Sequence, residues 1–135
     1  MESFLDKVPN KLKRSFQICL DMAKQNPSRF KFCCVALNKS GHIISMSFQQ
    51  GTKTHPLQVK YANKVNLNEK IYLHAEIATI IKATNPTTLF VCRVDFENKV
   101  VLSKPCPICE LAIKQSSIQQ CYYTTNNQTI ELLEF

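Results

Sequence analysis

Two short segments of the chain carry side chains that together can hold a metal ion. The first reads His-Ala-Glu at residues 74–76, and the second reads Pro-Cys-Pro-Ile-Cys at residues 105–109. One imidazole nitrogen and two thiolates suit zinc, and three protein ligands leave a fourth tetrahedral position for water, as in catalytic zinc sites. The sequence therefore predicts a catalytic zinc site formed by His74, Cys106 and Cys109.

Glu76 follows His74 by two residues, a spacing that can bring its carboxylate beside the zinc-bound water without making it a ligand. A carboxylate in that position can take a proton from water, deliver it to a ring nitrogen and then protonate departing ammonia. We therefore assign the proton-transfer role to Glu76.

Both segments are predicted at the start of a helix. Cys106 and Cys109 are three residues apart, so their sulfurs can lie on one face of the first helical turn. The partial positive charge at a helix N-terminus helps to keep thiolates deprotonated. His74 is expected to approach these sulfurs from the start of the neighbouring helix.

Each part of this pattern also has a simpler interpretation. A single histidine at a helix start is usually a cap or a surface residue, and Cys-x-x-Cys can be a redox pair or half of a zinc ribbon. A thioredoxin-type pair is expected near the beginning of the chain, and a ribbon needs a second ligand pair, which the sequence lacks. Taken jointly, His-x-Glu and Pro-Cys-x-x-Cys match the signature of zinc nucleobase deaminases, which favours the catalytic interpretation.

The spacing of apolar residues predicts the elements that must position these segments. Polar residues 51–70 are predicted to form a long connection, in which residues 57–64 can form a short helical turn. The short polar turn at 126–128 favours antiparallel last strands. Helices alternating with strands imply one α/β domain over residues 1–135, with helices packed on a central sheet. The predicted helices are 10–25 with Asn10 as N-cap, 73–84 and 107–115, and the predicted strands are 30–37, 42–49, 88–94, 117–125 and 129–135, with brief pairing at 100–102.

Composition narrows the class of protein. The chain has 135 residues, of which 44% are hydrophobic and 20% charged, a balance that fits one globular domain. It has no apolar run long enough to span a membrane and no pattern typical of a signal peptide, so we expect a cytoplasmic protein. The seven cysteines are an odd number, which favours reduced thiols over a disulfide framework.

The basic charge indicates a partner but does not identify it. The net charge is +7, from 17 Lys and Arg against 10 Asp and Glu. Such a surface attracts phosphates, on a nucleotide or on a nucleic acid, although scattered basic residues can also serve solubility alone. Aromatic residues make up 9% of the chain and tryptophan is absent, which favours free substrates over a polynucleotide that needs stacking surfaces.

At the two metal-site segments, and at Thr-His-Pro-Leu-Gln in residues 54–58, the sequence resembles the cytidine and deoxycytidylate deaminase superfamily, especially its small phage-type members. The resemblance covers most of the chain. It implies a cytidine deaminase-like three-layer α-β-α sandwich with a five-stranded mixed sheet. It also implies one zinc ion bound by His74, Cys106 and Cys109, with Glu76 as the proton shuttle.

The resemblance leaves the substrate open. Deoxycytidylate deaminases usually carry further elements after the fourth strand, whereas a short antiparallel return strand is similar to the nucleoside-type and toxin-type branches. A second zinc site, seen in some nucleotide deaminases, has no evident ligands here. The leading hypothesis is hydrolytic deamination of cytidine, deoxycytidine or a dCMP-like nucleotide by a homo-oligomer. The alternatives are deamination of cytosine or adenine within single-stranded DNA or RNA, and a non-catalytic zinc-stabilised binding module, against which Glu76 argues.

Substrate contacts are predicted mainly in the segment that precedes the His-x-Glu helix. His55 and Lys60 suit a phosphate, and Gln58 suits a sugar hydroxyl or a base edge. The alternative is an ordinary polar loop with Tyr61 packed inward. The predicted substrate-binding residues are His55, Gln58, Lys60, Tyr61, Ala75 and Pro105.

Overall fold

The computed structural model describes residues 7–26, 31–48, 54–67, 70 and 72–134. Within these residues, helices and strands alternate along most of the chain. The helices are α1 (Lys13–Gln25), α2 (Pro56–Lys64), α3 (Ala75–Lys82) and α4 (Pro107–Lys114), and the strands are β1 (Lys31–Leu37), β2 (Ile43–Phe48), β3 (Thr88–Val94), β4 (Gln120–Thr124) and β5 (Ile130–Leu132). None of the helices in the described part of the chain is long and apolar enough to cross a membrane.

The five strands form one mixed sheet in the order β2-β1-β3-β4-β5. Strand β1 pairs antiparallel with both β2 and β3, whereas β3 and β4 are parallel and are joined through α4. Strands β4 and β5 are antiparallel, and the Thr125 N–H donates to the Thr129 carbonyl across their turn. The predicted five-stranded mixed sheet with antiparallel last strands is confirmed.

Helices cover both faces of this sheet. On β1, the alternate residues Cys33, Val35 and Leu37 pack in the same core as α1, whereas Cys34 and Ala36 pack in a core on the other face. Helices α3 and α4 lie on that second face, and α2 packs against α4. Because β1 is central and covered on both sides, its sequence is nearly all apolar rather than alternating. The predicted three-layer α-β-α arrangement is confirmed.

The first helix begins later than the sequence predicts. Asn10–Leu12 form a 3-10 turn that follows Pro9, and the Leu12 N–H donates to the Pro9 carbonyl. The α-helical pattern starts only at Lys13, and no side chain caps it. The prediction of Asn10 as the N-cap was therefore wrong, because Pro9, whose ring fixes φ, starts a tighter turn first.

The segment predicted as a long connection contains a full helix, α2. The His55 side chain accepts a hydrogen bond from the Leu57 N–H, and Pro56 occupies the first helical turn, so the helix has a defined start. Its buried face consists of Gln58, Tyr61 and Ala62. The helical period was hidden because two of these three residues are polar or amphipathic.

Several helices and strands are shorter than predicted. Helix α3 begins at Ala75 because His74 has an extended backbone, with φ −79° and ψ 153°. Strand β4 begins at Gln120 rather than at residue 117, and β5 has only three residues. The brief pairing predicted at 100–102 is a single bridge between Val94 and Val100.

Replacing Phe90 tests the central packing. Phe90 is fully buried in β3, and its ring lies edge-on to Phe16 with 4.9 Å between centroids. Because Phe90→Ala leaves a cavity between sheet and helix, we expect it to lower the free energy of unfolding by about 3–5 kcal/mol, measured by urea denaturation. Phe96→Ala is the matched control, since Phe96 is 77% exposed and its loss should change stability by less than about 0.5 kcal/mol. A loss of stability in Phe90→Ala as small as that in Phe96→Ala would contradict this packing.

Candidate metal centre and active site

The predicted metal ligands lie at the facing ends of two packed helices. His74 and Cys106 are the residues that directly precede α3 and α4, and both have extended backbones. Neither side chain caps its own helix, so both are free to turn toward each other. Pro107 at the first position of α4 lacks an N–H, which this position does not need, and Cys109 follows in the same turn.

The three ligand atoms converge as zinc requires. The Nδ1 atom of His74 lies 3.2 Å from the Cys109 Sγ and 3.4 Å from the Cys106 Sγ. In a tetrahedral site with Zn–N near 2.0–2.1 Å and Zn–S near 2.3 Å, a nitrogen and a sulfur lie roughly 3.5 Å apart. The observed spacing therefore fits zinc. Among the described residues, no other group of three or more His, Cys, Asp or Glu side chains converges in this way.

Hydrogen bonding among the three ligand side chains favours the thiolate at Cys106. A hydrogen bond from the Cys109 thiol lowers the pKa of Cys106 to about 4, against the opposing effect of burial. Burial raises the pKa of Cys109 well above its usual range. The hydrogen bond to Cys106 raises the pKa of His74, although burial opposes it. A metal ion must displace the proton shared by the two sulfurs, because zinc binds thiolates.

Glu76 lies in the first turn of α3, and its side chain is 4% exposed. Burial raises the pKa of its carboxyl to about 7, in spite of a hydrogen bond from its own backbone N–H. Glu76 borders the same cavity as His74 and Cys106, and it is the only acidic residue among the described residues of the lining. The cavity has a volume of about 530 Å³ and is lined by Phe32, Lys70, His74, Glu76, Arg93, Leu102, Ser103, Lys104 and Cys106.

Gln58 holds the backbone beside the metal site. Its side chain is fully buried, and its Nε2 donates to the Lys70 carbonyl at 3.2 Å. Its Oε1 accepts a hydrogen bond from the His74 N–H, also at 3.2 Å. The structure thus uses both ends of the amide to fix His74 relative to α2. A contact from Gln58 to a sugar or a base, as predicted from the sequence, would require these bonds to break.

The other predicted substrate residues do not line the cavity. His55 caps α2 and borders a separate cavity with Ser47 and Thr54. Tyr61 packs inward, and the exposed Lys60 places its ammonium 5.7 Å from the centre of the Tyr61 ring. Ala75 and Pro105 are buried next to His74 and Cys106 in the chain. Substrate binding by these residues stays a prediction.

Of the other side chains of the cavity, Lys70 lies in the segment 51–73 that was predicted to line the pocket mouth, and the rest were not predicted. Arg93 is the one charged residue in β3, which is otherwise apolar after Thr88, and this charged position could have indicated a functional residue. Lys104 stands directly before the Pro-Cys-x-x-Cys segment. Nothing in the sequence indicates that Phe32 and Leu102 line a cavity, because apolar residues in and near strands usually belong to a core.

Replacing Gln58 tests whether it supports the metal site. Gln58→Leu leaves the His74 N–H and the Lys70 carbonyl without their partner, so we expect the free energy of unfolding to fall by about 1–3 kcal/mol. Zinc affinity should fall about 10–100-fold, as for other outer-shell partners, measured by competition with a chelating dye. Gln17→Leu is the control, because within the described residues the Gln17 amide donates to Asp21 at the surface and contacts no part of the metal site. Unchanged zinc affinity in Gln58→Leu would exclude this role.

Comparison with known proteins agrees with this geometry. A family model described as the cytidine and deoxycytidylate deaminase zinc-binding region matches residues 9–125, which include both ligand segments. A comparison with curated proteins found no match. The family match and the converging ligand set together support one zinc ion per chain. The chain therefore belongs to the cytidine and deoxycytidylate deaminase family of zinc-binding hydrolytic deaminases.

Proposed function

We propose that the protein hydrolytically deaminates a cytosine nucleoside or nucleotide in the cytoplasm, releasing ammonia and the uracil form. The observation that carries the proposal is that the buried carboxyl of Glu76 shares one cavity with His74 and Cys106. A structural zinc site needs no such acid beside it, whereas hydrolysis of an amidine C–N bond needs a group that moves protons. The family match supports the same class of reaction.

His74, through Nδ1, and the sulfurs of Cys106 and Cys109 are the proposed zinc ligands. When bound there, zinc acts as a Lewis acid that activates water near neutral pH. The chain contributes the fixed position of the three donor atoms. The facing helix N-termini add partial positive charge, which stabilises the thiolates.

Glu76 is the proposed proton carrier. Its carboxyl reaches the cavity from the first turn of α3, two residues after His74. Within the described residues it forms no salt bridge, and burial raises the pKa of its carboxyl more than the charge of nearby His74 lowers it. A buried carboxyl in this position can accept a proton, deliver it to the ring nitrogen of the base and return it to the leaving amine.

The cavity suits a substrate of nucleoside or nucleotide size. Its volume of about 530 Å³ lies within the usual range for small-molecule sites. Phe32 and Leu102 give it apolar walls, which can contact the faces of a flat base. These features support a free substrate.

Metal analysis tests the ligand set. We expect one zinc ion per chain in the purified protein and none in a Cys106→Ala, Cys109→Ala double variant, because two of the three ligands are lost. Removing the metal should also destabilise the fold, since the ion links two helix starts. Cys121→Ala is the control: Cys121 is a buried thiol outside the cluster, and this variant should keep its zinc. Stoichiometric zinc in the double variant would show that the ligands lie elsewhere.

Glu76→Gln tests the proton carrier. The amide is nearly isosteric with the carboxyl but cannot transfer protons, so turnover should fall by at least ~10²–10⁴-fold while zinc content is retained. Ammonia release from cytidine, deoxycytidine and their 5′-monophosphates is the measurement. Glu110→Gln is the control, because Glu110 lies in α4 outside the cavity lining. Near-normal turnover in Glu76→Gln would mean that another group moves the proton.

A further inference from the structure

We propose that the substrate is phosphorylated and that Lys70, Arg93 and Lys104 bind its phosphate at the mouth of the active-site cavity. This inference rests on the proposed function, because it names the substrate class of that same site. It moves the phosphate-binding role away from His55 and Lys60, which lie outside the cavity lining.

The three cations reach one cavity from separate parts of the chain. Lys70 precedes α3, Arg93 lies near the end of β3, and Lys104 lies shortly before α4. All three are exposed at the rim, whereas Glu76 is buried deeper in the same cavity. Their convergence is a product of the fold and not of a charge run in the sequence.

None of the three side chains is paired within the described residues. The structure gives their ammonium and guanidinium groups no hydrogen bond and no salt bridge there, and the only salt bridge among those residues joins Lys7 to Glu131. Among the described residues of the lining, no exposed carboxylate is present to neutralise them. Three like charges around one opening repel one another and produce a positive potential that an anion would relieve.

A phosphate is the part of a nucleotide that can use this arrangement. A cytosine nucleoside is neutral and gains little from three cations, whereas a 5′-monophosphate carries close to two negative charges. Arg93 can bind two phosphate oxygens with its planar guanidinium, and the lysines act as point charges on either side. Within the described residues the three cations line the same cavity as Glu76, which fits one nucleotide with its base inside and its phosphate at the rim.

Equilibrium binding tests the proposal without turnover. Titration calorimetry on zinc-loaded Glu76→Gln protein would compare cytidine and deoxycytidine with their 5′-monophosphates. Each monophosphate should bind at least about tenfold tighter than its nucleoside, since charged hydrogen bonds are among the strong ones. This preference should shrink as salt is raised, because exposed charges are screened. Equal affinity for nucleoside and monophosphate would overturn the proposal.

Added substitutions in the same background assign the residues. Arg93→Gln and Lys104→Gln should each reduce the ratio of monophosphate to nucleoside affinity several-fold or more. Lys99→Gln, which removes an exposed cation outside the cavity lining, should leave that ratio unchanged. Circular dichroism and zinc content would verify the fold of each variant. A parallel loss for both ligands in Arg93→Gln would overturn the phosphate-binding role of Arg93.

Two further measurements separate this inference from the proposed function. A short single-stranded DNA that binds tighter than the monophosphate would overturn the mononucleotide assignment. Ammonia release by the unsubstituted protein is measured independently: its absence would sink the deaminase proposal, whereas a phosphate preference lost in Arg93→Gln would still support the binding site. Ammonia release with equal affinity for both ligand types would sink only the phosphate proposal.

Discussion

The approach of the α3 and α4 N-termini is the constraint on which the site depends. It places Nδ1 of His74 within hydrogen-bond distance of both Cys106 and Cys109 sulfurs. The sheet sets this approach, because β1 and β3 are covered on that face by the helices that carry the ligands. The amide of Gln58 then fixes the His74 backbone from the side of α2. Ligand geometry is thus a property of packed elements rather than of a loop.

The same arrangement separates two kinds of charge. The acidic groups lie inside, at the Cys106 sulfur and the buried Glu76 carboxyl. Positive charge lies outside, on the Lys70, Arg93 and Lys104 side chains at the rim. For the phosphorylated substrate that we propose, an inner acid with cations at the rim would fix the orientation: the reacting base enters while the phosphate stays at the mouth. Orientation of this kind contributes to rate because the reacting groups are held in place before reaction.

How far the sequence predicts the structure differs between parts of the chain. The ligand set was predictable because three residues of fixed chemistry stand at helix starts, and the sheet was predictable because β1 and β3 are short, nearly continuous apolar runs. Helix α2 was predicted only as a short turn because its buried face includes Gln58, a polar residue whose hydrogen-bond partners are distant in the chain. The cavity-lining residues Arg93 and Lys104 were not predicted for the same reason, since only tertiary packing brings them to one cavity. The local sequence pattern therefore predicted the metal ligands, whereas long-range contacts determine which residues surround them.

The metal ligands also differ in how far the chain must fold to bring them together. Cys106 and Cys109 share one helical turn and are neighbours whenever that turn forms. His74 is separated from Cys106 by 32 residues, and the whole of β3 lies between them. Joining these ends costs loop-closure entropy, which grows with the logarithm of loop length. The cysteine pair therefore needs only one helical turn, whereas the complete site needs the long-range structure that brings α3 and α4 together.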